Sequence, residues 1–514
     1  MHKKSISIII PIHNEVKTLA NILKSCLQLE PLEIIIVING CIDGSVEIAR
    51  SYGCKILVCD KAVDHNVSHA IGAKKAKGDN LLFLDATVVI PPSTLKKFIR
   101  PLLEENMDIV LNNLNYIFYK RQRPDTATIW QQVSNYFFHR PDLNIDSLAF
   151  SPYAMTKKAV ERIDADSLAN PILAQLKAIK NGFRISHDME IDAMPANHYN
   201  PQQNLSPSTP LSASEKQIIG NHIEALAGWI SDIQHSRAQY TDRNRLRDIV
   251  EGLKLKKQQY MPKITTGQEL YSNTYGGKQL SVIIPVQNEE RTIEAVIQET
   301  RKLNPLEIII VVNGATDHTE EIAKKCGVTV ITYQEALGND TGRAIGAYFA
   351  KGDILLFIDG DFLISKTDLL PFVHSVQSGV DLALNKLEHY YMYRFPYSIV
   401  TACKYAVNLA CNRKDLGMGS TIAVPHAFSR NCINKIGFDA LTSPVLSQVR
   451  TIIEGFNVKN VHSVGIDNMN RVRPEKHFSK NGELPLSTQQ IIGDHIEGIS
   501  YLINQKGKRG FFNY

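Results

Sequence analysis

Short, continuous apolar runs alternate along the chain with stretches of helical spacing. In the later half, Leu280 to Pro285 predicts a short buried strand, and Asn288 is placed to cap a helix through Ile293, Val296 and Ile297. Leu306 to Val312 is apolar without alternation, as in a parallel strand buried on both faces. Asp317-x-x-Glu320 reads as a capping box for the next helix. Val328 to Thr332 predicts a strand, Thr341 to Lys351 a helix, and Ile354 to Ile358 a strand that ends at Asp359-Gly360-Asp361. This β-α-β-α-β-α-β order predicts an α/β fold with a mainly parallel central sheet, whose ligands lie at the carboxyl ends of the strands.

The same pattern occurs twice. Ser7-Ile-Ile-Ile-Pro11-Ile-His-Asn14-Glu15 returns as Ser281-Val-Ile-Ile-Pro285-Val-Gln-Asn288-Glu289, an offset of 285 − 11 = 274. Pro31 to Gly40 returns as Pro305 to Gly314, and Lys77-Gly78-Asp79 as Lys351-Gly352-Asp353, at the same offset. Further on the offset drops by one: Gly182 matches Gly455, and Gly220-Asn-His222-Ile-Glu224 matches Gly493-Asp-His495-Ile-Glu497. A unit this long is a duplicated domain rather than a solenoid repeat. The expected organisation is one copy over 1–240, a helical linker over 241–275 and a second copy over 276–514.

Composition narrows the classes. With 514 residues, 44% apolar and 21% charged, the chain suits a multidomain globular protein. A net charge of +5 on this length does not suggest a nucleic-acid binder. No apolar run is long enough to cross a membrane, and the N-terminal run is too short for a signal segment. The eight cysteines show neither a Cys-x-x-Cys pair nor zinc spacing, so reduced thiols and a cytoplasmic location are expected. The basic and aromatic tail Lys506–Tyr514 leaves peripheral contact with a membrane open, as it does oligomerisation.

The polar residues gather at predicted strand ends. Asp359 and Asp361 offer hard oxygen ligands for Mg²⁺ or Mn²⁺, although Asp and Gly also favour a plain turn there. Arg343 could grip a diphosphate, or be a solvated helix charge. Glu289 and Asn313 could read a base and ribose, or serve as cap and turn residues; His222, Glu224, His495 and Glu497 fit a structural helix contact better.

The array Ile-Ile-Pro-x-x-Asn-Glu, Val-Val-Asn-Gly-Ala-Thr-Asp, Gly-Arg-Ala-Ile-Gly and Ile-Asp-Gly-Asp resembles the family 2 glycosyltransferases of GT-A fold. The resemblance implies two tandem nucleotide-diphospho-sugar transferase domains and a nucleotide-sugar donor, with a UDP-sugar expected, handled with a divalent cation. It places Pro285 and Glu289 in the nucleotide pocket, Asn313 near the base, Arg343 and Arg473 near the diphosphate, and Asp359, Asp361 and His477 on the metal. The acceptor is unknown, a cell-surface glycan being typical of the family. The lack of membrane spans argues against processive polysaccharide synthases.

Two departures matter. Where the family usually has a Glu-Asp pair supplying the general base, the copies have Asn170-Pro171 and Ser443-Pro444, leaving Glu388, Asp415 and Asp439 as unranked substitutes. The first copy has Asp85-Ala86-Thr87 in place of Asp359-Gly360-Asp361, and His69 in place of Arg343. It is therefore expected to fold but to lack metal-dependent donor chemistry. A non-catalytic binding or scaffold protein is the rival from another class. A sugar-phosphate nucleotidyltransferase is weaker, because no Gly-rich loop with Arg and Lys follows the first strand.

Overall fold

The computed structural model describes residues 4–59, 64–116, 125–193, 209–242, 245–267, 274–387, 398–466 and 483–513. The chain divides into two compact units, Met1–Trp229 and Ile230–Tyr514.

The first unit contains β1 (Ile6–Ile12), β2 (Glu33–Ile38), β3 (Lys55–Val58), β4 (Asn80–Phe83), β5 (Ile109–Leu111), β6 (Tyr153–Thr156) and β7 (Ile185–Ser186). They form one sheet in the order β3-β2-β1-β4-β6-β5-β7. Only β6 runs against its neighbours β4 and β5. Because side chains alternate across a strand, Ile8, Ile10 and Ile12 of β1 enter one core layer and Ile9 enters the other. Burial on both faces is why the run reads as continuous Ile rather than as an alternation.

The second unit repeats this sheet with β9 (Leu280–Val286), β10 (Glu307–Asn313), β11 (Thr329–Tyr333), β12 (Ile354–Phe357), β13 (Leu382–Asn385), β14 (His426–Ser429) and β15 (Val458–His462). The order is β15-β13-β14-β12-β9-β10-β11, with β8 (Lys263–Thr265) added antiparallel to β11. The segment expected as a helical linker thus supplies an edge strand to the second sheet. It also supplies the helix Asp248–Lys254, whose Ile249, Val250 and Leu253 join the core around Ile283 and Val311. Among the described residues, no helix is long and apolar enough to cross a membrane.

The repeated motifs have repeated structural causes. Ser7 Oγ donates to Glu33 (2.9 Å) and accepts from the N–H of Gly78 (2.9 Å). Ser281 Oγ likewise donates to Glu307 (2.7 Å) and accepts from Gly352 (2.8 Å). A Cβ on Gly78 or Gly352 would lie 2.6 or 2.7 Å from the serine nitrogen, so each Lys-Gly-Asp turn fits only with glycine. The later parts of the two copies repeat too: Gln175 Nε2 donates to Asn135 (2.7 Å), and Gln448 Nε2 to Asn408 (2.7 Å).

Two expected caps act differently. The helix after β9 begins at Ile293 with Thr292 at its cap. Asn288 instead accepts the N–H of Thr316 at 2.8 Å. Asp317 accepts from Thr319 N (3.0 Å) and Glu290 N (3.2 Å). Both residues tie the loop after β9 to the loop after β10, which fixes the rim of the site.

Candidate active site

The carboxyl ends of β9, β10 and β12 converge in the second unit. The helix Asn339–Phe349 lies tightly across them, because Gly342 and Gly346 face the sheet one turn apart. A Cβ on Gly342 would sit 2.9 Å from Pro285 Cβ, and one on Gly346 would sit 2.4 Å from Ile283 Cγ2. This close approach carries Arg343 into the sheet end. Its side chain is 7% exposed, and it donates to Asp340 Oδ1 (2.8 Å) and Asp359 Oδ1 (2.6 Å). Burial opposes the charged guanidinium, but Asp359 and Asp340 hold its proton affinity above the ordinary arginine value. Arg343 is a fixed, buried cation clamped on the first carboxylate of Asp359-Gly360-Asp361.

Asp359 keeps 20% of its side chain exposed, and its Oδ2 is not engaged by Arg343. Asp361 lines a cavity of about 330 Å³ with Asn288, Glu289, Glu290, Arg291, Thr292 and Asp317. Gly360 serves packing rather than space around an ion, since a Cβ there would approach Val286 Cγ1 to 2.4 Å. Asn313 is fully buried: its Nδ2 donates to Val286 O (3.1 Å), and its Oδ1 accepts from Leu337 N (3.0 Å). These bonds lock the end of β10 to the loop before the helix. The N–H of Glu289 donates to Thr319 Oγ1 (2.7 Å), which holds the buried Glu289 at the start of the rim.

Arg473 and His477 lie outside the described residues, as does Glu388. Asp415 is forked by Arg413 (2.8 Å). Asp439 is bound by Arg450 (3.0 Å) and Lys254 (3.1 Å); burial tends to raise its pKa, but these cations bring it below the ordinary carboxylate value. Ser443 is fully buried where the helix Pro444–Ile453 begins. No group of three His, Cys, Asp or Glu side chains assembles to hold a metal among the described residues. Two carboxylates nevertheless fit Mg²⁺ or Mn²⁺, because Mg²⁺ commonly takes one or two protein carboxylates and completes its shell with substrate phosphates and water.

Sequence reading missed Asp340. It lies in the first turn of the helix, where an acidic residue gives no special signal, yet it bridges Arg343 and Arg245. Arg245 and its second partner Asp494 were missed as well; they lie far apart in sequence, and only the fold brings them together.

In the first unit the same strand ends form a cleft of about 340 Å³ that includes Pro11, Glu15, Asn39, His69, Asp85 and Thr87. His69 is buried against Phe83 and Tyr153, with Nδ1 3.2 Å from Tyr153 Oη. Burial, reinforced by His65, holds it neutral. Asp85 accepts the N–H of its neighbour Thr87 at 2.9 Å.

Twin α/β sheets with polar clefts at their strand ends define a pair of nucleotide-type α/β domains. The pattern described as Glycosyl transferase family 2 matches residues 7–183 and 281–432, well over half of the chain. The chain belongs to the glycosyl transferase family 2, which is matched once in each unit. It is 35% identical over 102 residues to glucosyl-3-phosphoglycerate synthase of Mycobacterium tuberculosis, covering 17% of this chain and 30% of that protein. It is 33% identical over 122 residues to glycosyltransferase AglE of Haloferax volcanii, covering 22% and 40%. It thus spans less than half the length of either relative. Among solved structures, the M. tuberculosis synthase with Mn²⁺, UDP and glucosyl-3-phosphoglycerate is similar at 16% identity and a TM-score of 0.33, covering 43% of this chain and 80% of that one.

Proposed function

We propose that the second unit transfers a sugar from a nucleotide-sugar donor to an acceptor hydroxyl with a divalent cation, and that the first unit carries no metal-dependent donor chemistry. The observation that supports this most is Asp359-Gly360-Asp361 at the end of β12, with Arg343 clamped on Asp359, while the first unit has Asp85-Ala86-Thr87 and a neutral His69. Asp361 and the Oδ2 of Asp359 are the ligands we assign to Mg²⁺ or Mn²⁺, which when bound would neutralise charge on the departing diphosphate. Arg343 holds Asp359 in place through its bond to Oδ1. Pro285 and Glu289 are assigned to the nucleoside side of the site, with Asn313 supporting it through the loop it locks rather than by contact, and a UDP-sugar is the expected donor. Arg473 and His477 retain their proposed places at the diphosphate and metal. The acceptor class is open.

A non-catalytic donor-binding protein is the second reading. It is favoured by the buried Ser443 at the family's usual base position and by the cations that engage Asp415 and Asp439. A panel of nucleotide-sugars, scored for Mn²⁺-dependent binding and hydrolysis, separates the two. Asp361→Ala is expected to lower turnover on the order of 10²-fold or more with the fold intact. Unchanged turnover in that variant with Mn²⁺ present removes the metal role, and metal-dependent binding without hydrolysis or transfer by the native chain selects the second reading.

A further inference from the structure

We propose that Arg245, which precedes the second copy of the repeat, is a positioning residue of the donor site. This inference rests on the donor reading given above. Arg245 is a buried cation, its side chain 3% exposed. Its Nη2 bonds Asp340 Oδ2, while Asp340 Oδ1 accepts from Arg343, which in turn holds Asp359. One carboxylate therefore spans two guanidinium groups, and the run Arg245–Asp340–Arg343–Asp359 alternates in charge without a break. Arg245 is anchored from behind by a two-bond fork on Asp494, through Nη1 (2.5 Å) and Nη2 (2.9 Å). Asp494 lies in the helix Leu486–Lys506, is 1% exposed, and also accepts from Arg237 at 2.6 Å.

The chain contains its own comparison. At the matching positions the first unit has Asn66 for Asp340, His69 for Arg343 and Asn221 for Asp494. The neighbours His222 and Glu224 persist as His495 and Glu497. The charged members are missing together from the unit that also lacks the second metal carboxylate, whereas the adjacent helix residues are kept. A general packing role for Asp340 and Asp494 would not require this joint loss. A role in setting the angle of Asp359 would, because Asp85 is instead held by its own neighbour Thr87. Buried ion pairs confer defined geometry more reliably than net stability. Here the geometry belongs to a carboxylate assigned to the metal, where a misplacement of about 1 Å can cost 10²-fold in rate.

The test uses the full chain and measures UDP binding by calorimetry with and without Mn²⁺, with uridine as the ligand that lacks the diphosphate. Arg245→Gln is expected to weaken Mn²⁺-dependent UDP binding by roughly tenfold or more while leaving uridine binding unchanged. Arg247→Gln is the matched control, because Arg247 bonds Glu497 and Asp242, a carboxylate that it shares with Arg245 Nη1 (3.1 Å), but not Asp340. It should lower the melting temperature comparably and leave UDP–Mn²⁺ binding as in the native chain. Asp494→Asn, which keeps the shape and removes the anchoring charge, should show an intermediate loss, and it serves as the probe if Arg245→Gln does not fold. Native-like Mn²⁺-dependent UDP binding in Arg245→Gln, or in Asp494→Asn where that stands in, overturns the positioning role if Asp361→Ala abolishes that binding. Equal losses in Arg245→Gln and Arg247→Gln also overturn it. A native chain that binds UDP no better with Mn²⁺ than without defeats the donor reading itself, and the positioning role with it.

Discussion

At the end of β4, Asp85 is held by the backbone of Thr87; at the end of β12, the matching Asp359 is held by the side chain of Arg343. Beside each lies an aromatic core residue, Phe83 or Phe357, stacked on Tyr153 or His426 respectively. The scaffold is the same and the charge differs. A neutral His69 bonded to Tyr153 in one unit replaces a cationic Arg343 beside a neutral His426 in the other. His426 is pushed down to about 3 by burial and by Arg343, so the pair carries one positive charge rather than two. Duplication has preserved the strands, the Lys-Gly-Asp turns and the buried amide pairs, while the second aspartate and Arg343, which we propose serve a metal and a diphosphate, occur in only one unit. The residues that fold the domain are thus separable from those to which we assign its chemistry.

Counting sites tests this separation most severely. Titration of the full chain with UDP and Mn²⁺ should give one metal-dependent site, and Asp361→Ala should reduce it to none. A site that survives the substitution would place metal-dependent binding in the first unit. Next, transplanting the first unit's pair with Arg343→His and His426→Tyr should leave the circular dichroism of the full chain native and lower transfer on the order of 10²-fold, since Asp359 loses its fixed cation. Retained turnover would show that this pair does not explain the difference between the units.

The shared scaffold should respond alike in both. A Cβ on Gly72 or on Gly346 would lie 2.4 Å from Ile9 Cγ2 or Ile283 Cγ2, so Gly72→Ala and Gly346→Ala should each destabilise their unit by roughly 1–3 kcal/mol in denaturant titrations. A loss in one unit alone would mean that their packing has diverged. The smallest effect concerns acid. Among the described residues each unit buries two histidines in neutral form: His69 and His222 in the first, His426 and His495 in the second. Burial brings His222 to about 3 and His495 to about 4, whereas the unfolded residues protonate near 6.5. The unfolded chain therefore binds more protons below that value, and stability falls as pH drops. Between pH 7 and 6 the loss should be under about 1 kcal/mol per histidine, visible as a downward shift of melting temperature in both units. A shift confined to one unit would show that its partner's histidines are protonated when folded.

Much of this was legible in the sequence because it is written locally. Continuous Ile and Val runs announce strands buried on both faces, and the constant offset announces the duplication. The Asp359–Asp361 spacing and the losses at His69 and Thr87 need no tertiary information. Arg343 was legible as a candidate diphosphate cation, but its burial was not legible, since its exposure depends on how closely Gly342 and Gly346 let the helix approach the sheet. Arg245, Asp340 and Asp494 were not legible at all. Their bonds span 95 and 249 residues, and no local period marks them. Asn288 misled for the opposite reason: it is a good capping residue, but the adjacent loop offers its side chain the N–H of Thr316, while Asp317 bonds the first N–H of its own helix, that of Thr319, and adds that of Glu290.

Strand β8 has a consequence for where the chain can be cut. It lies before the second repeat begins in sequence, yet Lys263, Ile264 and Thr265 pair with Thr332, Ile331 and Val330 of β11. A truncated protein that starts at the sequence repeat, near residue 276, loses this strand and presents the amide edge of β11 to solvent, an invitation to intermolecular strand pairing. It also loses Arg245 and the apolar face of Asp248–Lys254. The excision point that keeps the second unit's contacts without breaking an element lies just after the helix Ala213–Ile233 and before Arg237, about forty residues upstream of where the repeat alone would place it.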